Sequence, residues 1–294
     1  MGKPIFIAGA TATGKSAVAM EVAKKKGGEI VSVDSMQVYQ RMDIGTAKPT
    51  GEQREQISHH LIDCVTISEG FDAARFLREA KRIETNIEQA VFCGGTGLYF
   101  QAWLEGLGEA PAGDPKVRKE LEEISTQELL KEIKVKDHAT YKSIDRHNPR
   151  RVVRAVEVMR ITGKPFSELK AKWTNHAPQN FFLLERTSQD LRRRIEARVE
   201  TMFERGLVEE TCSLRSELEA SPIAQQALGY RQVISHLKGE QGLPETVSLV
   251  KSRTWQFARR QKTWFKKINL ATVVRVSENE GPEEIGRQII KLIE

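Results

Sequence analysis

The chain has 294 residues, of which 39% are hydrophobic and 29% are charged, and its formal net charge is +6. This composition is typical of a globular protein with a substantial core and excludes a disordered or collagen-like chain. No stretch approaches the roughly 18 consecutive apolar residues of a membrane-spanning helix, so we predict no membrane partner. The three cysteines lie far apart and form no C-x-x-C pair. We therefore predict a cytoplasmic protein with no signal peptide, zinc site or disulfide framework.

The first predicted elements are a strand over residues 4–8, a glycine-containing loop and a helix over residues 15–26. The loop reads GATATGKS, which is the phosphate-loop signature in its usual context between a strand and a helix. Its glycines allow a tight turn, and its backbone N–H groups and the helix N-terminus attract phosphate. Lys15 can reach a terminal phosphate, and the hydroxyl of Ser16 suits Mg²⁺. We predict that a di- or triphosphate binds to Gly9, Ala10, Thr11, Ala12, Thr13, Gly14, Lys15 and Ser16.

Polar side chains follow two later strands. Glu29–Val33 reads as a strand that ends at Asp34, and residues 90–93 read as a strand that leads into a glycine turn containing Thr96. The carboxyl ends of parallel strands are where ligands bind. At that edge, Asp34 can act as a general base, support a bound Mg²⁺ or simply cap a turn. Thr96 can donate its hydroxyl to a ligand or simply form part of the turn. No later strand ends in the acidic pair of a typical NTPase, which favours group transfer over ATP hydrolysis.

The order of the elements predicts the fold class. Strands alternate with helices up to residue 110, residues 116–172 read as wholly helical, and the alternation then returns. Further elements are predicted at residues 60–63, 72–89, 181–184, 188–205, 247–267 and 272–276. We predict an α/β protein with a P-loop NTPase-like parallel sheet. Its catalytic core would comprise residues 1–110 and 175–294, and residues 111–174 would form an all-helical insertion.

Positive charge is concentrated in two stretches. Residues 142–172 hold nine Lys or Arg and three Asp or Glu, residues 251–267 hold seven Lys or Arg and no acid, and the rest of the chain is net acidic. A solvated helix face would explain one such stretch, but two stretches that both carry aromatics favour a nucleic-acid partner. Arg150 and Arg154 lie four apart on a predicted helix, so they share one face that can contact phosphates.

Seven stretches point to one family. They are GATATGKS (9–16), DSMQVYQRMDIGTAKP (34–49), GGTGLY (94–99), DPKVR (114–118), RRVVRAVEV (150–158), QALGYR (226–231) and ARRQKTWF (258–265). Together they span nearly the whole chain, and it resembles the bacterial type of the tRNA dimethylallyltransferase family, which lacks a C-terminal zinc finger. The second stretch is the most specific, because the phosphate loop alone matches many kinases. Ala10 and Ser16 stand where the family usually has proline and threonine, and the insertion looks short.

The resemblance implies a reaction: transfer of the dimethylallyl group of dimethylallyl diphosphate to the exocyclic N6 amine of adenosine 37, in the anticodon stem-loop of tRNA. It implies catalytic roles for Asp34 as the base, for Thr96, and for Lys15 with Mg²⁺ on Ser16 at the leaving diphosphate. The insertion would be a swivelling tRNA-binding module, and we expect a monomer. The implied tRNA contacts are Asp34, Ser35, Met36, Gln37, Thr96, Arg118, Arg150, Arg151, Arg154, Arg259 and Arg260.

Two other functions fit parts of the sequence. A small-molecule kinase, or an enzyme that prenylates free AMP, would use the phosphate loop but would not need the two basic stretches. An RNA-binding protein gated by a nucleotide would use the basic helices but would not need Asp34 or the GGTGLY stretch.

Overall fold

The computed structural model describes residues 2–294 and contains a six-stranded sheet surrounded by helices. The strands are β1 (Ile5–Gly9), β2 (Glu29–Val33), β3 (His59–His60), β4 (Ala90–Gly94), β5 (Phe181–Glu185) and β6 (Thr272–Arg275). The helices of the first half are α1 (Lys15–Lys26), α2 (Gly51–Gln56), α3 (Ala73–Glu84), α4 (Gly97–Glu105), α5 (Pro115–Glu122), α6 (Thr126–Lys136) and α7 (His138–Ser143). Those of the second half are α8 (Pro149–Thr162), α9 (Phe166–Leu169), α10 (Ser188–Glu204), α11 (Leu207–Ala220), α12 (Tyr230–Leu237), α13 (Leu243–Phe265) and α14 (Pro282–Ile293).

All strand pairs in the sheet are parallel, in the order β3-β2-β4-β1-β5-β6. The predicted parallel α/β fold is thus confirmed. Every residue of β1 and β4 is buried, because helices cover both faces of a doubly wound sheet. The chain runs from β1 towards β3 on one side and from β4 to β5 on the other. The direction of winding therefore reverses at β1 and β4, and the carboxyl ends of β2, β4 and β1 lie side by side.

One buried apolar cluster holds the phosphate loop in place. Ala10 and Ala12 of the loop share it with Leu191 and Ile195 of α10 and with Ala258 of α13. Both alanines are less than a tenth exposed. The two helices therefore pack against the apolar side of the loop.

Several element boundaries differ from the sequence-based prediction: the helix predicted over residues 72–89 ends at Glu84, and the stretch predicted as helical to residue 172 leaves its last helix at Leu169. The strand predicted over residues 60–63 ends at His60, since Leu61 and Asp63 have positive φ angles of 59° and 55°. The helix predicted over residues 247–267 begins earlier, at Leu243, because Pro244 is well tolerated in the first turn of a helix.

Residues Ala102–Thr174 form a compact helical unit, and the described residues up to Gln101 form another unit together with Asn175–Glu294. The helical unit has its own core, in which Val152 and Val156 of α8 contact Leu129 and Ile133 of α6 and other apolar side chains. The Asn148 side chain caps the start of α8 by accepting the N–H of Arg151. Within residues 2–294, no helix combines the length and the apolar character needed to cross a membrane.

Candidate active site

The phosphate loop occupies the carboxyl end of β1. Gly14 has a φ of 96°, a conformation that side-chain-bearing residues rarely adopt, and it turns the chain into α1. Lys15 is the first residue of α1, and its Nζ donates to the carbonyl oxygen of Ala10 at 3.2 Å, folding the ammonium over the loop. Desolvation by burial holds the pKa of Lys15 below its usual value, and the charge of nearby Arg198 lowers it further. The charge of an anionic ligand would oppose this lowering, because an opposite charge favours the ammonium form.

Three arginines surround this loop, and sequence reasoning missed them. Arg186, which follows β5, donates its Nε–H to the carbonyl oxygen of Thr13 at 2.9 Å. On α10, Arg194 donates to the carbonyl oxygen of Ala12 at 2.9 Å, and Arg198 donates to the Thr11 hydroxyl at 3.4 Å. The sequence signal that could have identified them lies in the stretch Leu191–Arg198. There Arg194 and Arg198 are four residues apart, as are Leu191 and Ile195, which pack on the loop.

The charge of this arginine cluster is only partly neutralised. Arg186 forms a buried salt bridge of 2.8 Å with Asp190. Within residues 2–294, no carboxylate forms a salt bridge with Lys15, Arg194 or Arg198, and all three side chains are half-buried. Burial lowers the pKa of Arg198, and Arg194 adds to this effect while Asp34 opposes it. Because crowded, desolvated cations repel one another, the site is prepared for a ligand with several negative charges.

Asp34 stands at the carboxyl end of β2, where its charge acts on both Lys15 and Arg198. Its Oδ1 accepts the N–H groups of Met36 at 2.9 Å and Gln37 at 3.4 Å. Asp34 therefore does cap a turn, as one of its sequence-based interpretations predicted. Its second oxygen, Oδ2, accepts no hydrogen bond from residues 2–294 and is left for a proton or a donor group.

Thr96 connects the turn after β4 to the segment that carries Asp34. Its hydroxyl oxygen accepts the N–H of Ser35 at 3.1 Å, and its own N–H donates to Val33 at 3.1 Å. The structure thus brings together the phosphate loop, Asp34 and Thr96, which the sequence placed at one edge of the sheet. The side chain of Gln37 stabilises the segment over residues 34–49, because its Nε2 donates to the carbonyl oxygens of Thr46 and Ala47.

A magnesium ion fits this site if a phosphate ligand supplies most of the oxygens. Ser16 is exposed at the start of α1. Among residues 2–294, no group of three or more His, Cys, Asp or Glu side chains is placed to hold a metal. Mg²⁺ commonly takes one or two protein oxygens and completes its shell with phosphate oxygens and water. The Ser16 hydroxyl suits that arrangement.

The six arginines predicted to contact tRNA have different surroundings. Arg118 and Arg154, in the helical unit, both pair with the fully buried carboxylate of Glu157, at 3.0 and 2.6 Å. Burial alone would raise the pKa of Glu157, but the hydrogen bonds from Arg154 and Arg118 hold it below its usual value. Arg118 is exposed despite this pairing, and so are the other four: Arg150, Arg151, Arg259 and Arg260. The first two of these lie on α8, and the others lie on α13.

Comparison with known proteins gives a consistent result. Residues 37–268 match the family model described as IPP transferase. A tRNA dimethylallyltransferase 1 from Citrifermentans bemidjiense is 40% identical over 275 residues, which cover 91% of this chain and 90% of that protein. A tRNA dimethylallyltransferase from Acetivibrio thermocellus is 38% identical over 298 residues, which cover 97% of this chain and 95% of that protein.

Solved structures agree with these relatives. The full-length tRNA isopentenylpyrophosphate transferase from Bacillus halodurans is 33% identical, with a TM-score of 0.70 over 100% of this chain and 97% of that one. A eukaryotic dimethylallyltransferase, determined while acting on tRNA, is 25% identical, with a TM-score of 0.77 over 94% of this chain and 75% of that one.

Proposed function

The chain belongs to the IPP transferase family, and from this premise we propose that it is a tRNA dimethylallyltransferase. The donor is dimethylallyl diphosphate, and the acceptor is the N6 amine of adenosine 37 in the anticodon stem-loop of tRNA. The observation that carries the proposal is the pairing of two features at one sheet edge. Lys15, Arg194 and Arg198, which form no salt bridge with a carboxylate of residues 2–294, lie at the phosphate loop, and the carboxylate of Asp34 stands beside it.

The cationic cluster suits a diphosphate leaving group. As the C1–O bond of the donor breaks, negative charge develops on the diphosphate. Lys15, Arg194, Arg198 and the N–H groups of the phosphate loop are already oriented before the reaction, so they stabilise this charge with little reorganisation. A Mg²⁺ ion on the Ser16 hydroxyl would neutralise part of the same charge when bound.

Asp34 is placed to act on the attacking amine. The new bond forms between N6 of the adenine and C1 of the dimethylallyl group, and the electron pair of the C1–O bond leaves with the diphosphate. The amine must then lose a proton, which the Oδ2 atom of Asp34 can accept while Oδ1 remains fixed by the turn. Thr96 holds the neighbouring Ser35 in place. The adenine must leave its stack to reach this position.

The two basic stretches are proposed to bind the tRNA. Exposed arginines lie on α8 of the helical unit and on α13 of the other unit, and both stretches can contact phosphates or stack with bases. We also propose that the helical unit is a tRNA-binding module. We propose that the enzyme is a monomer and works in the cytoplasm, where its tRNA substrate is found.

A transfer assay tests the proposed function. The protein is incubated with Mg²⁺, labelled dimethylallyl diphosphate and an unmodified tRNA with adenosine at position 37, with AMP and ATP present as rival substrates. We expect label to enter the tRNA and to be lost when that adenosine is replaced by guanosine. Label found only on AMP would replace the proposal with a free-nucleotide enzyme. Tight tRNA binding with no transfer would replace it with an RNA-binding protein.

A further inference from the structure

We propose that Gln261 of α13 is a positioning residue that fixes the spacing between the phosphate loop and the turn after β4. Its side chain is only 7% exposed. Its Oε1 accepts the N–H of Thr11 at 2.8 Å, and its Nε2 donates to the carbonyl oxygen of Gly95 at 2.9 Å. One amide group therefore joins two loops that are far apart in the sequence.

A side chain at position 95 would displace the Gln261 amide from this contact. A Cβ atom added at Gly95 would lie 2.2 Å from Nε2 of Gln261, well inside van der Waals contact. The absence of a side chain at position 95 thus admits the amide. Removing the amide would leave the Thr11 N–H and the Gly95 carbonyl without these partners in a largely dry region, which is unfavourable for both.

Each end of this bridge leads to a group used in the proposed reaction. Thr11 belongs to the phosphate loop, and its hydroxyl accepts a hydrogen bond from Arg198. Gly95 precedes Thr96, whose hydroxyl oxygen holds Ser35 next to Asp34. Gln261 thereby connects the leaving-group site to the base without contacting the reacting atoms. The expected effect of Gln261 on the transfer rate rests on the proposed function. Its expected effect on diphosphate binding by the phosphate loop does not depend on that function.

The chemistry of the bridge requires an acceptor and a donor in one rigid plane. An ionised glutamate at position 261 would keep the acceptor for Thr11 but would direct a second oxygen at the Gly95 carbonyl. A protonated glutamate would restore the donor. A methionine keeps the length of the side chain and provides neither a strong acceptor nor a donor.

The first test compares Gln261→Met with Gln288→Met, which changes an exposed glutamine on α14, outside both basic stretches. Binding of inorganic diphosphate with Mg²⁺ is measured by calorimetry on the full chain, and kcat and KM are measured in the transfer assay. For Gln261→Met we expect diphosphate affinity and kcat each to fall about 10-fold, because the loop loses its fixed geometry. We expect KM for tRNA to change less than about 2-fold and the control to behave as the wild type.

The outcomes of this test separate the two proposals. Unchanged diphosphate affinity in Gln261→Met would overturn the role of Gln261 whatever happens to transfer. A wild-type protein that binds diphosphate but transfers nothing would overturn the proposed function, and the binding comparison would still decide the role of Gln261.

The second test uses Gln261→Glu and a pH profile, and it applies even if the methionine variant does not fold. A carboxyl group buried against a carbonyl oxygen has a pKa well above the ordinary value of about 4.3 for glutamate. Its protonated form can donate to Gly95. We therefore expect the activity of this variant, relative to the wild type, to rise several-fold as the pH falls from about 8.5 to 5.5. A ratio that does not change with pH would overturn the donor role of Nε2.

Discussion

Tyr230 donates its hydroxyl hydrogen to the carboxylate of Glu210 at 2.6 Å. The same carboxylate accepts the backbone N–H groups of Asp43, Ile44 and Gly45 at distances from 2.8 to 3.3 Å. These three residues belong to the segment over residues 34–49 that begins with Asp34. The Glu210 carboxylate thus holds the most specific stretch of the sequence against α11 and α12.

We expect Glu210→Ala to lower the free energy of unfolding by about 2–4 kcal/mol, because several hydrogen bonds to a charged group are lost together. Urea unfolding followed by circular dichroism measures this change. Glu209→Ala is the matched control, since Glu209 is the exposed neighbour in the same first turn of α11. Equal stability of the two variants would mean that Glu210 does not hold this turn.

Arg198 donates to Thr11 of the phosphate loop, and its charge interacts with that of Asp34, so its loss should affect the leaving group more than the tRNA. We expect Arg198→Gln to lower kcat about 100-fold, the usual effect of removing one oriented donor from developing negative charge. Diphosphate affinity should fall as well, while tRNA affinity stays near that of the wild type. Arg192→Gln serves as the control, because Arg192 is exposed on the same helix and pairs with Glu196. A kcat within 3-fold of the wild type would remove Arg198 from the mechanism.

Asp34→Ala should abolish transfer and leave tRNA affinity within a few-fold of the wild type. The carboxylate is the proposed proton acceptor, whereas its capping of the turn involves only one of its oxygens. Asp34→Asn preserves an oxygen acceptor for the turn and cannot accept the proton, so it separates the two roles. Single-turnover transfer and filter binding of tRNA are the measurements. An active Asp34→Asn variant would show that Asp34 acts only as a cap.

Glu157 gives the helical unit a defined dependence of stability on pH. Its folded-state pKa lies below the reference value of 4.5, so its stabilising charge is fully present above that pH and is lost as the pH falls through the folded-state pKa. We expect Glu157→Gln to be about 2 kcal/mol less stable than the wild type at pH 7, because two arginines lose a charged partner and both are partly exposed.

This difference should shrink as the pH falls below 4.5 and should close once the pH lies below the folded-state pKa of Glu157. Urea unfolding at pH 7, 5 and 3.5 follows it. Glu168→Gln is the control, since Glu168 is exposed in the same unit. A difference of the same size at pH 3.5 as at pH 7 would show that the charge of Glu157 is not the source of its stabilising effect.

The sequence predicted the parts of the site that depend on local pattern. The strand, turn and helix of the phosphate loop are contiguous, so their spacing alone defined them. Asp34 and Thr96 were placed at one edge because parallel strands end there, and the contact between Thr96 and Ser35 agrees with that geometry. The alternation of strands and helices predicted a parallel sheet, but the strand order β3-β2-β4-β1-β5-β6 comes from the structure alone.

The remaining parts depend on tertiary contacts that no local pattern specifies. Arg194 and Arg198 reach the phosphate loop from a helix more than 170 residues later in the chain. Within a charged helix their spacing looks the same as that of solvated arginines. Gln261 stands between Arg260 and Lys262 in a stretch interpreted as a basic surface, and only the packing of α13 shows that its side chain points inward. Likewise, the buried Glu157 that pairs with Arg154 was not distinguished from a surface charge.

Arg151 and Arg154 on α8 have different surroundings, so we expect their substitutions to have different effects on tRNA binding. Arg151 is exposed, so Arg151→Ala should weaken tRNA binding and reduce the slope of log affinity against log salt by about 0.7–0.9 if one phosphate contact is lost. Arg154→Ala should act mainly on stability, because Arg154 pairs with Glu157. Arg78→Ala, at an exposed site outside both basic stretches, is the control. Filter binding at several salt concentrations measures the slope, and an unaltered slope for Arg151→Ala would identify Arg151 as a solvated side chain.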